Sequence, residues 1–162
     1  ELDGMKFENK PGGCRVCVVE VEGRKNLAPA CATDVMEGMV ANILKKNDIK
    51  FRQEVYSTEW TNLQKVLGDD EKRFDFVIQT SKKTYLIEVN FYSGGGSKLN
   101  EVARSYSDIA PKINSVSGFE FVWITDGIGW KSAKNKLQEA YSIIPSVYNL
   151  TDIVDFIKLI KN

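Results

Sequence analysis

The sequence predicts an α/β domain with a mixed central sheet flanked by helices, and three observations predict it. Apolar residues recur at helical spacing in three long segments, 34–46, 97–110 and 131–144. Between them lie apolar or alternating runs of strand length, bounded by turn residues. The resulting order is helix, three strands, helix, strand, helix, strand, helix, and its strand-helix-strand steps require partly parallel pairing with helices on both faces.

The first helix is expected after Asp34, which with Glu37 three positions on makes a capping box. Apolar residues at 36, 39, 40, 43 and 44 then form its stripe. Residues 51–56 read as a strand and 74–79 as a second, Ser81-Lys82-Lys83 as a turn, and 85–92 as a third strand. The Gly94-Gly95-Gly96 run breaks the chain. Ser97 is placed to cap a helix that Pro111 should stop. Residues 119–125 read as a buried strand ending at Asp126-Gly127, 131–144 as a helix and 147–150 as a short strand, with Thr151 capping a last helix. The texture differs before residue 34, dividing the chain into a cysteine-containing segment, 1–33, and a core, 34–162.

The 162 residues, 43% of them hydrophobic, suit one compact core. No apolar run approaches the roughly 20 residues needed to cross a bilayer, and no signal-peptide pattern is visible. Twenty-two basic and twenty-two acidic residues give zero formal charge, which argues against simple coating of nucleic acid but not against an enzyme with an acidic site. The absence of histidine removes Ser-His and Cys-His nucleophile pairs and histidine general bases. Hydrolytic chemistry would then rest on carboxylates, lysines and a metal. Three clustered cysteines, Cys14, Cys17 and Cys31, make a poor disulfide framework and suit a reducing cytoplasm.

Asp75 and Glu88 lie in two strands joined by a short turn, so antiparallel pairing would set their carboxylates side by side. Glu88 interrupts an apolar strand, where an uncompensated carboxylate is expensive to bury. A divalent cation held by hard oxygen ligands would offset that cost. Asn90, two residues on, projects to the same face as Glu88. Surface or ion-paired carboxylates are the ordinary alternative for such a pair.

The blocks Arg73-Phe74-Asp75-Phe76-Val77-Ile78 and Tyr85-Leu86-Ile87-Glu88-Val89-Asn90, the run from Phe91 through Gly96 to Glu101, Ala103-Arg104-Ser105-Tyr106, and Trp123 through Gly127 to Trp130 together resemble the DpnII family of type II restriction endonucleases, within the PD-(D/E)xK superfamily. The resemblance covers about residues 73–150. It implies a restriction-endonuclease-like core and Mg²⁺-dependent hydrolysis of double-stranded DNA at GATC by a homodimer on a palindromic site. It further implies Asp75 and Glu88 as metal ligands, with Asn90 at the position the superfamily usually gives to lysine. Lys98 is the candidate for a catalytic cation, and its alternative is a solvated lysine in a first helical turn. Ser97, Lys98, Arg104 and Lys131 are candidate DNA contacts. Glu37 is a candidate third metal ligand, although a capping role explains it as well. Family members are considerably longer, so the chain is expected to correspond to a catalytic core.

A second resemblance covers residues 12–39. Cys14, Cys17 and Cys31, within Gly13-Cys14-Arg15-Val16-Cys17 and Pro29-Ala30-Cys31, match the last three cysteines of a [2Fe-2S] ferredoxin-type segment of iron hydrogenases. The fourth ligand is missing, so no Fe-S cluster is expected, and reduced structural cysteines are the plainer reading. An iron–sulfur electron-transfer module and a non-catalytic DNA-binding remnant of the nuclease fold stand as the competing functions.

Overall fold

The computed structural model describes residues 33–69 and 71–162, with short strand segments at 7–8, 18–19 and 28–29, and side chains from Met36 onward except at 70. The three cysteines lie outside the described residues, as does the question of a cluster there. Strands β1 (Phe7–Glu8), β2 (Val18–Val19) and β3 (Ala28–Pro29) pair antiparallel in that order.

The core follows as α1 (Thr33–Lys46), β4 (Arg52–Tyr56), α2 (Thr61–Leu67), β5 (Arg73–Gln79), β6 (Thr84–Phe91), α3 (Ser97–Asn114), β7 (Phe119–Asp126), α4 (Lys134–Ile143), β8 (Val147–Tyr148) and α5 (Ile153–Lys161). The five strands form one sheet in the order β4-β5-β6-β7-β8. β4, β5 and β6 are an antiparallel meander, while β6-β7 and β7-β8 are parallel. The expected mixed sheet is therefore present.

Helices cover both faces, because β6 and β7 are apolar on both sides. On one face Leu86, Phe121 and Trp123 pack with Leu99, Ala103, Tyr106 and Ala110 of α3 and with α2 and α4. On the other, Ile87, Val89, Val122 and Ile124 pack with Met36, Val40 and Leu44 of α1 and with Ile153, Phe156 and Ile157 of α5. Among the described residues no helix is long and apolar enough to cross a membrane.

Several boundaries differ from expectation for local reasons. α1 starts at Thr33, so Asp34 sits within its first turn and not ahead of it. Gly96, with φ 158°, occupies the position before α3 and provides no side-chain cap, so Ser97 is the first helical residue and not the cap. Pro111 does not stop α3, which continues to Asn114. The last turn holds because Ile113 is fully buried and the Ser115 N–H donates to the Pro111 carbonyl at 3.0 Å. Residues Ile128–Ala133 form a 3₁₀ helix, so α4 begins only at Lys134. At α5 the side-chain oxygen of Asn149 accepts the Thr151 and Asp152 N–H groups at 2.7 and 2.8 Å, a role expected of Thr151.

α2 was not expected at all. Seven residues are too few for a periodic stripe to stand out. Burial of Leu63 and the edge-on contact of Trp60 with Phe119 at 5.5 Å hold it against the sheet.

Candidate active site

Leu86, Glu88 and Asn90 share one face of β6, the face covered by α3. Regular alternation does not extend through β5, where Phe74 and Val77, three apart, lie in the same cluster under α3. The slip falls around Asp75. Opposite it on β4, between the pairs Gln53↔Phe76 and Val55↔Phe74, Glu54 has φ 54°. A left-handed non-glycine residue inside a strand is locally strained, and such irregularities re-aim side chains. Here the β5-β6 ladder runs only as far as Phe76↔Ile87. Beyond it the Val89 N–H donates to Asp75 Oδ2 at 2.7 Å, so a carboxylate takes the place of a backbone acceptor.

Glu88 is almost wholly buried, only 5% exposed. The Tyr106 hydroxyl of α3 donates to its Oε2 at 2.8 Å. Its Oε1, a buried oxygen, is paired with Lys72 Nζ at 2.7 Å and with no other group. Burial pushes the Glu88 carboxyl up to about 7; the Lys72 ammonium opposes this and the Asp75 carboxylate reinforces it. Asp75 is also raised by burial, against the lowering effect of the Val89 N–H and then of Lys72 and Arg73. Two neighbouring carboxylates are thus held where their charged forms are poorly served, the condition a bound cation relieves.

The amide of Asn90 is already engaged. Trp123 Nε1 donates to Asn90 Oδ1 at 2.9 Å. Lys72, Glu88, Tyr106 and Trp123 form one chain of contacts from the edge of the site into the core, with Asn90 bonded to its last member. Its far end is stiffened by edge-on ring contacts of Trp123 with Tyr106 at 5.2 Å and with Trp130 at 5.5 Å.

Asn90 also lines an open cleft of about 220 Å³ with Tyr92, Ser93, Gly94, Lys98 and Val102. The cleft lies where β6 leaves the sheet, at the carboxyl end of a parallel pair. Its wall is built by close backbone approach: a side chain at Gly127, φ 118°, would run into the Tyr92 carbonyl, and one at Gly129 into that of Gly94. Glycine is required at both positions. Trp130 is a core residue, its Nε1 donating to Thr125 Oγ1 at 2.9 Å, while Lys131 beside it is exposed.

The structure sets Asp75 on the strand beside Glu88 and Asn90, bonded to the intervening Val89 N–H, and places Lys98 on the wall of the adjoining cleft, with exposed Ser97 next to it in sequence. It places Arg104 elsewhere, in a groove with Asn100, Ser107, Lys136 and Glu139. Among the described residues no group of three or more acidic, cysteine or histidine side chains is arranged to hold a metal. Sequence reasoning missed Lys72, Tyr106 and Glu54. Lys72 stands just before the recognisable Arg73–Ile78 block, and that adjacency was its only signal.

A sequence family described as DpnII restriction endonuclease matches residues 18–158. The type II restriction enzyme MboI of Moraxella bovis is 57% identical over 129 residues, covering 80% of this chain and 46% of that protein. The type II restriction enzyme DpnII of Streptococcus pneumoniae is 41% identical over 143 residues, covering 83% and 49%. The NADP-reducing hydrogenase subunit HndD of Solidesulfovibrio fructosivorans is 35% identical over 119 residues, covering 69% of this chain but 18% of that protein. The chain spans about half the length of the restriction enzymes it matches.

Proposed function

This chain belongs to the DpnII restriction endonuclease family, and on that premise we propose that it is the catalytic core of a Mg²⁺-dependent type II enzyme that hydrolyses double-stranded DNA at GATC. The observation that carries the proposal is Glu88: a buried carboxylate with one oxygen met only by an ammonium, close enough to feel the charge of Asp75 on the adjoining strand, and two residues before Asn90, which lines an open cleft. A structural ion pair would not need a second half-buried carboxylate next to it, and that second charge raises the cost of the first.

Asp75 and Glu88 would hold the metal, and the donor set fits, since hard carboxylate oxygens with open space for water are what Mg²⁺ takes. When bound, Mg²⁺ supplies charge neutralisation at the scissile phosphate and a more acidic attacking water. The chain's own residues do the rest. Tyr106 fixes the Glu88 carboxylate by its 2.8 Å hydrogen bond, and Trp123 fixes Asn90. Lys98, on the cleft wall, and Ser97 beside it at the start of α3 would contact the DNA backbone, where a helix N-terminus favours phosphate. Lys131, exposed in the turn after β7, would add a further contact, and Arg104 would contact DNA only through the separate α3-α4 groove. Net, one water adds across the phosphodiester: its oxygen joins phosphorus and one of its protons ends on the released sugar oxygen.

Recognition of a palindrome favours a two-fold homodimer on DNA, and the cysteine usage favours a reducing cytoplasm. The test is cleavage of a duplex carrying one GATC site, in Mg²⁺ and in EDTA. Cleavage at that site in Mg²⁺ alone is expected. An equal rate in EDTA, or cutting indifferent to sequence, would contradict the reading.

A further inference from the structure

We propose that Lys72 is the catalytic cation of this site: it guards Glu88 in the metal-free protein and turns to the scissile phosphate once a metal takes the carboxylate. The inference rests on the nuclease reading above and adds to it the residue that performs the charge-stabilising role.

Asn90 cannot fill that role. It carries no charge, and its Oδ1 is occupied by Trp123 Nε1. Lys98 lines the outer cleft from the exposed first turn of α3. Lys72, by contrast, has Nζ 2.7 Å from Glu88 Oε1 on a side chain that is itself 28% exposed. Its position is built and not incidental. Nζ lies 5.5 Å from the centre of the Tyr106 ring and 5.9 Å from that of Phe74, two aromatic faces that favour a cation there. The backbone is anchored as well, with the Lys72 N–H donating to Ser57 Oγ at 3.0 Å and its carbonyl accepting the Ser57 N–H at 2.7 Å.

The ion pair also explains how Glu88 is tolerated without metal. A buried carboxylate needs a counter-charge, and an ammonium on a four-carbon stem supplies one that can leave. With a metal held by Glu88, the Lys72 ammonium would lose its partner and be free to turn from the carboxylate on its four-carbon stem. It would then donate hydrogen bonds to a non-bridging phosphate oxygen as negative charge builds up in the attack by water. Lys72 remains an ammonium throughout, and no bond to it forms or breaks.

The experiment compares wild type, Lys72→Met, Lys72→Arg, Lys98→Met and Glu88→Gln at pH 8.5. Two readouts are taken: Mn²⁺ affinity by calorimetry without DNA, and single-turnover cleavage of a GATC duplex at saturating Mg²⁺. Methionine keeps most of the apolar stem against Tyr106 and Phe74, and thermal melting confirms that each variant is folded. Lys72→Met is expected to bind Mn²⁺ at least as tightly as wild type, because no ammonium competes for Glu88, yet to cleave about a hundredfold or more slowly. Lys72→Arg should recover part of the rate and Lys98→Met should lose less. Loss of Mn²⁺ binding in Lys72→Met, as in Glu88→Gln, would show that Lys72 merely positions the carboxylate and would overturn the proposal. So would a wild-type cleavage rate in Lys72→Met. A wild-type chain that neither binds Mn²⁺ nor cleaves would overturn the nuclease reading and this inference with it.

Discussion

Glu88→Gln is expected to abolish detectable cleavage, a loss of at least about a thousandfold, while leaving a folded protein. The size of the effect follows from the position of the side chain. Glu88 is one of the two carboxylates proposed to hold a cation, and glutamine has nearly the same shape with a far poorer metal oxygen. The fold should survive because the Tyr106 hydroxyl can still donate to the amide oxygen, and because burial already pushes this carboxyl up to about 7, so that a neutral side chain is well accepted there. Lys72 loses its partner but is part-exposed and can turn to water. The check is single-turnover cleavage in Mg²⁺ beside a melting curve without metal. A melting temperature within a few degrees of wild type with no cleavage is the predicted pair of results. Retained cleavage would remove Glu88 from the mechanism.

Asn90→Asp should slow cleavage by about a hundredfold or more. Aspartate is nearly isosteric and can still accept the Trp123 indole N–H, so the strand and the ring contacts behind it should hold. What changes is charge: a third carboxylate beside Asp75 and Glu88, close to where the phosphate must come. Asn90→Lys, the residue usual at this position in the superfamily, is not expected to improve the enzyme. Lysine cannot accept from Trp123 Nε1, and a buried donor left unpaired costs about 1–3 kcal/mol. It would also place a second ammonium near Lys72. Single-turnover rates on a GATC duplex settle both variants, and a wild-type rate for Asn90→Asp would reduce Asn90 to a strand residue.

Much of this arrangement was legible in the sequence because it is local. The pair β5-β6 is joined by a tight turn, so Asp75 and Glu88, thirteen residues apart, could be placed on neighbouring strands from spacing alone. The parity of Glu88 and Asn90 on β6 could be read the same way. The partners that complete the site were not legible. Tyr106 reaches Glu88 from α3 across a separation of 18 residues, and although it closes one of the blocks that carry the resemblance, nothing in that block points to Glu88. Lys72 precedes β5 as an ordinary-looking charge. The slip of alternation at Asp75 depends on the backbone of Glu54 on another strand, and no propensity predicts φ 54° for a glutamate. Helix boundaries erred for a related reason. The carbonyls and side chains that end or begin a helix, Asn149 before α5 and Pro111 within α3, were decided by packing and not by the residue that local preference favours.

If Asp75 and Glu88 together hold the metal, anomalous scattering from crystals of the chain soaked in Mn²⁺ will locate it without reference to activity. One strong peak beside the two carboxylates is expected, with Lys72 moved off Glu88 Oε1. A peak at other residues, or none beside Asp75 and Glu88 at saturating Mn²⁺, would rule them out as the ligands.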